Sequence, residues 1–216
     1  MKENKKQTIG EEIANAISHG VMAIFGIVAM ILLIIKSEST IEVVAAILFG
    51  FGMINLYTMS TLYHAIFHPV AKSVFRRFDH LSIYILIGGS FAPALLLLPE
   101  LQEPFIGQLS LGLFLFIVQW LLIIVGVVFK SIWIKKYIAL HTFLYLLMGW
   151  SGLIFMKQLF AFDANAFWFI LFGGISYSLG VIFFALPKVK YFHFIWHIFC
   201  GIGTILQFIA YYQFLY

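Results

Sequence analysis

Seven runs of apolar residues divide this chain, each long enough to carry a helix across a bilayer. They are Ile17–Ile35, Ile41–Tyr63, Leu81–Leu98, Ile106–Phe129, Tyr137–Phe155, Ala164–Leu186 and Phe192–Tyr212. A crossing takes roughly 20 residues, so seven of them use about 140 positions. Only short connections are left in a chain of 216 residues, and a separate soluble domain is not expected. Composition agrees: the chain is 63% hydrophobic and 10% charged, against about 45–50% and 25% in soluble domains. In hydrocarbon the backbone must satisfy its own polar groups, which leaves helices or closed barrels. A barrel would show alternating segments of about ten residues, and these runs are uniformly apolar. The expected fold is therefore all-α, a seven-transmembrane helix bundle forming one polytopic membrane domain over residues 1–216.

Orientation follows from where Lys and Arg fall between the runs. Lys2, Lys5 and Lys6 precede the first run, and Lys72, Arg76 and Arg77 sit in the second connection. Lys130, Lys135 and Lys136 occupy the fourth, and Lys188 and Lys190 the sixth. The alternate side has only Lys36 and Lys157, beside Glu38, Glu42, Glu100, Glu103 and Asp163. A cytoplasmic N-terminus and an external C-terminus are expected, which requires an odd number of spans. No small-residue cleavage site follows the first run, so that span is expected to be retained. The basic residues are scattered rather than gathered on one face, so no nucleic-acid partner is expected. The single Cys200 excludes an internal disulfide framework and a four-cysteine zinc site, and is read as packed and inert. Tyr211, Tyr212, Trp150 and Trp168 fall near expected helix ends and are read as interfacial aromatics. Gly173, Gly174, Gly201 and Gly203 are read as points of close helix approach.

The polar residues inside the runs carry the functional signal, because ionisable groups in a membrane are costly and by default functional. His64 ends the second run, four residues after Ser60. Asp79 and His80 open the third, His193 and His197 open the seventh, and His19 opens the first after Glu12 and Asn15. All fall at the end of the bundle that the loop charges assign to the cytoplasm. Residues four apart share a helix face, so Ser60 pairs with His64 and His193 with His197. Two imidazoles at that spacing can reach one zinc ion, and His64 would complete a three-histidine set with the fourth position open, the pattern of a catalytic zinc. Asp79 could act as an orienting group and proton acceptor, with Ser60 supporting it.

The blander readings stand beside these. The three histidines could snorkel at the interface, and Asp79 could pair with Arg76 or Arg77. For Glu12, Asn15 and His19, capping a helix start and lining a site are both open. His80 is read as a structural neighbour of the site, His141 as a hydrogen-bonded packing residue and His68 as solvated. A bis-histidine haem suits the crowding of His, Asp and Ser less well than zinc.

Taken in order, Glu12-Ile-Ala-Asn15-Ala-Ile-Ser-His19-Gly20, Ser60-Thr-Leu-Tyr-His64, Phe78-Asp79-His80-Leu-Ser-Ile-Tyr84 and His193-Phe-Ile-Trp-His197 resemble the hemolysin III family. This is the bacterial branch of the progestin and adipoQ receptor superfamily, and the likeness runs over essentially the whole chain. The resemblance implies a seven-helix bundle in the bacterial plasma membrane. It also implies Zn2+ held at His64, His193 and His197, with Asp79 holding a zinc-bound water or the zinc itself. Three activities fit. A zinc-dependent hydrolase of a lipid amide or ester, ceramidase-like and serving membrane lipid homeostasis, would use Asp79 as base and Ser60 to steady the oxyanion or Asp79. A cytolytic pore would need a polar lining that no single run supplies, so it would require a homo-oligomer. A receptor-like lipid sensor would keep zinc as a structural ion. In each, membrane lipids are the expected partner.

Overall fold

The computed structural model describes residues 7–133 and 136–216; Lys2, Lys5, Lys6 and Lys135 of the charge pattern lie outside them. The described chain is helical, with seven helices long and apolar enough to span a membrane. In chain order these are α1 (Ile9–Lys36), α2 (Thr40–Ala65), α3 (Pro69–Leu97), α4 (Leu111–Ile132), α5 (Ile138–Gly149) continued by α6 (Met156–Phe162), α7 (Ala164–Phe184) and α8 (Phe192–Ala210). Helices adjacent in sequence lie side by side, and α8 closes the bundle against α1. α3 is the most enclosed, followed by α2 and α8, while α1, α4, α5–α6 and α7 give most of their surface to the surroundings.

α1 starts eight residues before the apolar run suggests. Thr8 caps it, its hydroxyl accepting from Glu11 N at 3.3 Å while the Glu11 carboxylate accepts from Thr8 N at 2.8 Å. This is a capping box, and it satisfies two otherwise orphaned amides. The added turns are inside out: Ile9, Ile13 and Ile17 face outward, whereas Glu11, Asn15 and His19 are buried. Polar residues four apart on one face lower the local hydropathy without preventing membrane burial, because that face meets protein.

α3 likewise begins twelve residues before Leu81. Pro69 at its first position needs no hydrogen-bond acceptor for its nitrogen, and His68 Nδ1 accepts from Ala71 N at 3.5 Å. Lys72, Arg76 and Arg77 are therefore helical rather than loop residues. Lys130, also expected in a loop, is inside α4 and fully buried. The fourth span starts at Leu111 instead of Ile106. Before it, Pro104–Ile106 and Leu109–Ser110 form the small antiparallel pair β1–β2 around Gly107 at φ 61°. The fifth span is broken by a 3-10 stretch, Trp150–Phe155, between α5 and α6.

Lipid tails are as apolar as Leu, so close packing and interhelical hydrogen bonds hold such a bundle together. α7 and α8 meet at Gly173 and Gly203, where a Cβ on either would come within 3.0–3.1 Å of the other's carbonyl oxygen. Gly201 lies against Met22, while Gly174 meets only Trp150 at ordinary contact distance. Tyr57 OH donates to Cys200 O at 3.2 Å, and Cys200 is buried as expected. Two expected interfacial aromatics hydrogen-bond within the bundle instead. Tyr211 is buried and donates to Ser90 O at 2.6 Å, and Trp150 Nε1 donates to Ser178 Oγ at 2.9 Å. Their polar atoms find protein acceptors, so they have no need of the headgroup layer.

Candidate metal site

His64 is the penultimate residue of α2, and His193 and His197 occupy the first two turns of α8. Sequence-distant helices thus bring three imidazoles together. One donor nitrogen from each lies within 4.8 Å of the others, and the ring centroids are 4.7–5.2 Å apart. His64 and His197 are buried and His193 is half-buried.

The outer nitrogens of two rings are already engaged. His64 Nδ1 donates to Glu12 Oε2 at 2.7 Å. His197 Nδ1 donates to Asn15 O at 3.3 Å, with Ser18 Oγ 3.2 Å away. A proton on Nδ1 leaves Nε2 unprotonated, with its lone pair free. His64 Nε2 is in fact buried with no hydrogen-bond partner. Rings that ligate metals almost always donate the other N–H to a carboxylate or carbonyl, so these three residues fit a metal ion. Tetrahedral, histidine-rich coordination with Zn–N of about 2.0–2.1 Å would draw the donors slightly closer.

The remaining expected residues are distributed around this centre. Glu12 also accepts from Lys72 Nζ at 3.0 Å, and Lys72 donates to Tyr63 O at 2.9 Å. Asn15 is fully buried, its Nδ2 donating to Gln7 Oε1 at 2.9 Å and approaching His64 Nδ1 at 3.5 Å. The second contact pairs two donors, and the shorter Glu12 bond claims the proton. His19 stacks on His197 with centroids 3.4 Å apart and stands edge-on to Tyr57. Capping belongs to Thr8 and Glu11, so Glu12, Asn15 and His19 surround the histidines instead. Ser60 is buried with an unpartnered hydroxyl, and the Asp79 carboxylate is near enough to act on both Ser60 and His64. Asp79 stands outside the three-donor cluster. His80 has Lys130, Arg76, His141 and His64 as its ionisable neighbours.

Three participants escaped the sequence reading. Lys72 reads in the sequence as a loop charge. Ser18 looked like an ordinary helical serine. Glu11 ties the start of α1 to that of α8, its Oε1 accepting from Tyr191 N at 2.9 Å. Only Glu11 had a sequence signal, the Thr8-x-x-Glu11 spacing of a capping box.

An apolar cavity lies one helical turn beyond the site, between α3, α5, α7 and α8. Leu56 precedes Ser60 by four residues, Ile83 follows Asp79 by four, and Trp196 follows His193 by three; all three line it. The site helices therefore continue directly into its wall.

Residues 7–208 match the family model described as Haemolysin-III related. A hemolysin-3 homolog of Bacillus subtilis (strain 168) is 41% identical over 205 residues, covering 93% of this chain and 92% of that protein. Hemolysin-3 of Bacillus cereus is 40% identical over 206 residues, covering 94% and 90%. The human monocyte to macrophage differentiation factor is 29% identical over 217 residues, covering 98% and 87%.

Proposed function

Since this chain belongs to the Haemolysin-III related family and is a multi-pass membrane protein, we propose that it is a zinc-dependent hydrolase. Its substrate is a lipid amide or ester, and its role lies in membrane lipid homeostasis. The supporting observation is the trio His64, His193 and His197, whose donor nitrogens lie within 4.8 Å of one another, with Glu12 and Asn15 O engaging Nδ1 of His64 and His197. When bound there, zinc lowers the pKa of a coordinated water towards about 7 and polarises a carbonyl.

The chain's own residues supply the rest. Asp79, beside Ser60 and His64, accepts the proton that the attacking water gives up. The free Ser60 hydroxyl donates to the oxyanion or to Asp79. His19 and Tyr57 wall the site on the α1 side. The apolar cavity beyond it takes the lipid chain, which orients the carbonyl and excludes bulk water. The basic residues gathered at this end of the bundle support a cytoplasmic placement for it.

The test is turnover of a long-chain lipid amide and ester by zinc-loaded protein, wild type against Asp79→Asn. Loss of turnover with zinc content and helicity retained is expected. Equal turnover would remove Asp79 from the chemistry. The hemolysin names of the Bacillus relatives support a second, cytolytic reading. Zinc-stripped protein that releases dye from vesicles as fast as the loaded form would favour it.

A further inference from the structure

The apolar cavity beyond the histidines ends on a polar group. It spans about 680 Å3, part of it open to the surroundings, and its wall is mostly hydrocarbon and aromatic ring. The polar side chains in that wall are largely spoken for. Ser90 Oγ donates to Ile87 O at 2.9 Å, and Tyr145 OH donates to His80 O at 3.0 Å. Tyr177 OH shares a hydrogen bond with Thr204 Oγ1 at 2.6 Å. Ser178 Oγ accepts from Trp150 Nε1 and donates to Gly174 O, both at 2.9 Å. Gln207 is the exception. It lines the cavity, it is 6% exposed, and its Oε1 is buried without a hydrogen-bond partner. Buried polar groups of native proteins are almost always paired, because leaving one unmatched costs its full desolvation.

The depth of Gln207 is fixed by its neighbours. His193, Cys200 and Gln207 follow one another at seven-residue spacing, so they share one face of α8. Gln207 lies ten residues beyond His197, about 15 Å along the helix axis. One turn later Tyr211 OH donates to Ser90 O at 2.6 Å, which ties that level of α8 to α3. On the α7 side a Cβ at Gly173 would meet Gln207 Cγ at 3.3 Å, so the stem of the side chain packs against bare backbone. Trp196, one turn after His193, lines the near part of the cavity and Gln207 the far part.

Carbon–carbon bonds of about 1.5 Å advance an extended chain by roughly 1.25 Å each, so about twelve carbons cover the distance from His197 to Gln207. An unsubstituted acyl chain would bring Gln207 nothing to bond. A hydroxyl donates to Oε1 and can accept from the same carboxamide. An ammonium or a carboxylate would carry charge into an apolar enclosure, which is far costlier. A site that buries a polar group for a hydroxyl discriminates against the analogue lacking it, since the group is then left unpaired.

We propose that Gln207 is a specificity-determining residue, selecting an acyl chain that bears a hydroxyl near its twelfth carbon. The proposal rests on the reading of this cavity as the place of the lipid chain, with the carbonyl at the histidines. To that reading it adds the substrate class, a mid-chain hydroxylated lipid amide or ester. Gln207 acts on binding and takes no part in bond cleavage.

The test is equilibrium binding to full-length protein in detergent, with metal content held constant, read by displacement of a fluorescent fatty amide. Three octadecanoyl amides are compared: unsubstituted, hydroxylated on the twelfth carbon and hydroxylated on the third. Wild type is expected to bind the twelfth-carbon form roughly tenfold more tightly than either of the others, the effect of one buried hydrogen bond. Gln207→Met keeps an unbranched stem against Gly173 and loses the carboxamide. In it that preference disappears or reverses, while the unsubstituted amide binds as well as before or better. Equal affinity of wild type for the three amides overturns the proposal, as does failure of all three to bind. A preference shared by the third-carbon form, or one that survives in Gln207→Met, overturns it too. Should Gln207→Met fail to fold, Gln207→Ala takes its place in the same comparison. Turnover separates this inference from the hydrolase reading. A Gln207-dependent preference without turnover removes the hydrolase and leaves the hydroxylated chain as a bound ligand, and turnover without the preference does the converse.

Discussion

Two histidine groups flank α3 at one end of the bundle, and they differ in how their charges are answered. Around His64 and His197 the outer ring nitrogens meet a carboxylate, Glu12, and a carbonyl, Asn15 O. Around His80 and His141 the partners are a phenol, a guanidinium and the buried ammonium of Lys130. Acceptors behind a ring push its free lone pair inward and suit a cation. The same residue type thus stands in two electrostatic settings, and only the first is arranged to hold a metal ion.

The contrast can be broken most forcefully from the histidine side. His193→Ala with His197→Ala is expected to reduce zinc from about one per chain to none while circular dichroism stays helical. Retained zinc, measured by elemental analysis, would refute the three-ligand site. Next in size is Glu12→Gln, which weakens the hold on His64 Nδ1. Loss of such a partner typically costs 10–100-fold in metal affinity, or about 1.4–2.7 kcal/mol; competition with a chelator reads this directly. Lys72→Met removes a cation that touches Glu12 and Tyr63 O but none of the three histidines. Its effect on zinc affinity should be smaller, a few-fold at most, and an effect exceeding that of Glu12→Gln would contradict the order of contacts. Smallest of all is His141→Gln, expected to leave zinc affinity unchanged within error. A measurable loss there would mean that the two groups share one ligand.

The hydropathy pattern revealed the seven helices because an uninterrupted apolar run needs no tertiary information to be recognised. It failed where polarity and burial part company. Glu11, Asn15 and His19 lower the hydropathy of the first turns of α1, yet they face protein while Ile9, Ile13 and Ile17 face outward. Lys72 and Lys130 looked like loop charges for the same reason. Tyr211 looked interfacial from its place near the chain end, and its bond to Ser90 O depends on a helix 121 residues away. The three clustered histidines were legible because each stands at the same depth and two share a helical face. The bond from His64 to Glu12 was not, since 52 residues separate them and neither local spacing nor composition encodes it.

The inside-out start of α1 bears on the order of assembly. Its buried face meets His64 from α2, but Glu11 also needs the amide of Tyr191, and His19 the ring of His197, both from the last span. During synthesis the first helix enters the bilayer long before α8 exists. Its polar flank must be tolerated by lipid, by water defects or by insertion machinery until the final segment arrives. A chain truncated before α8 would leave that flank without the Tyr191 amide and the His197 ring.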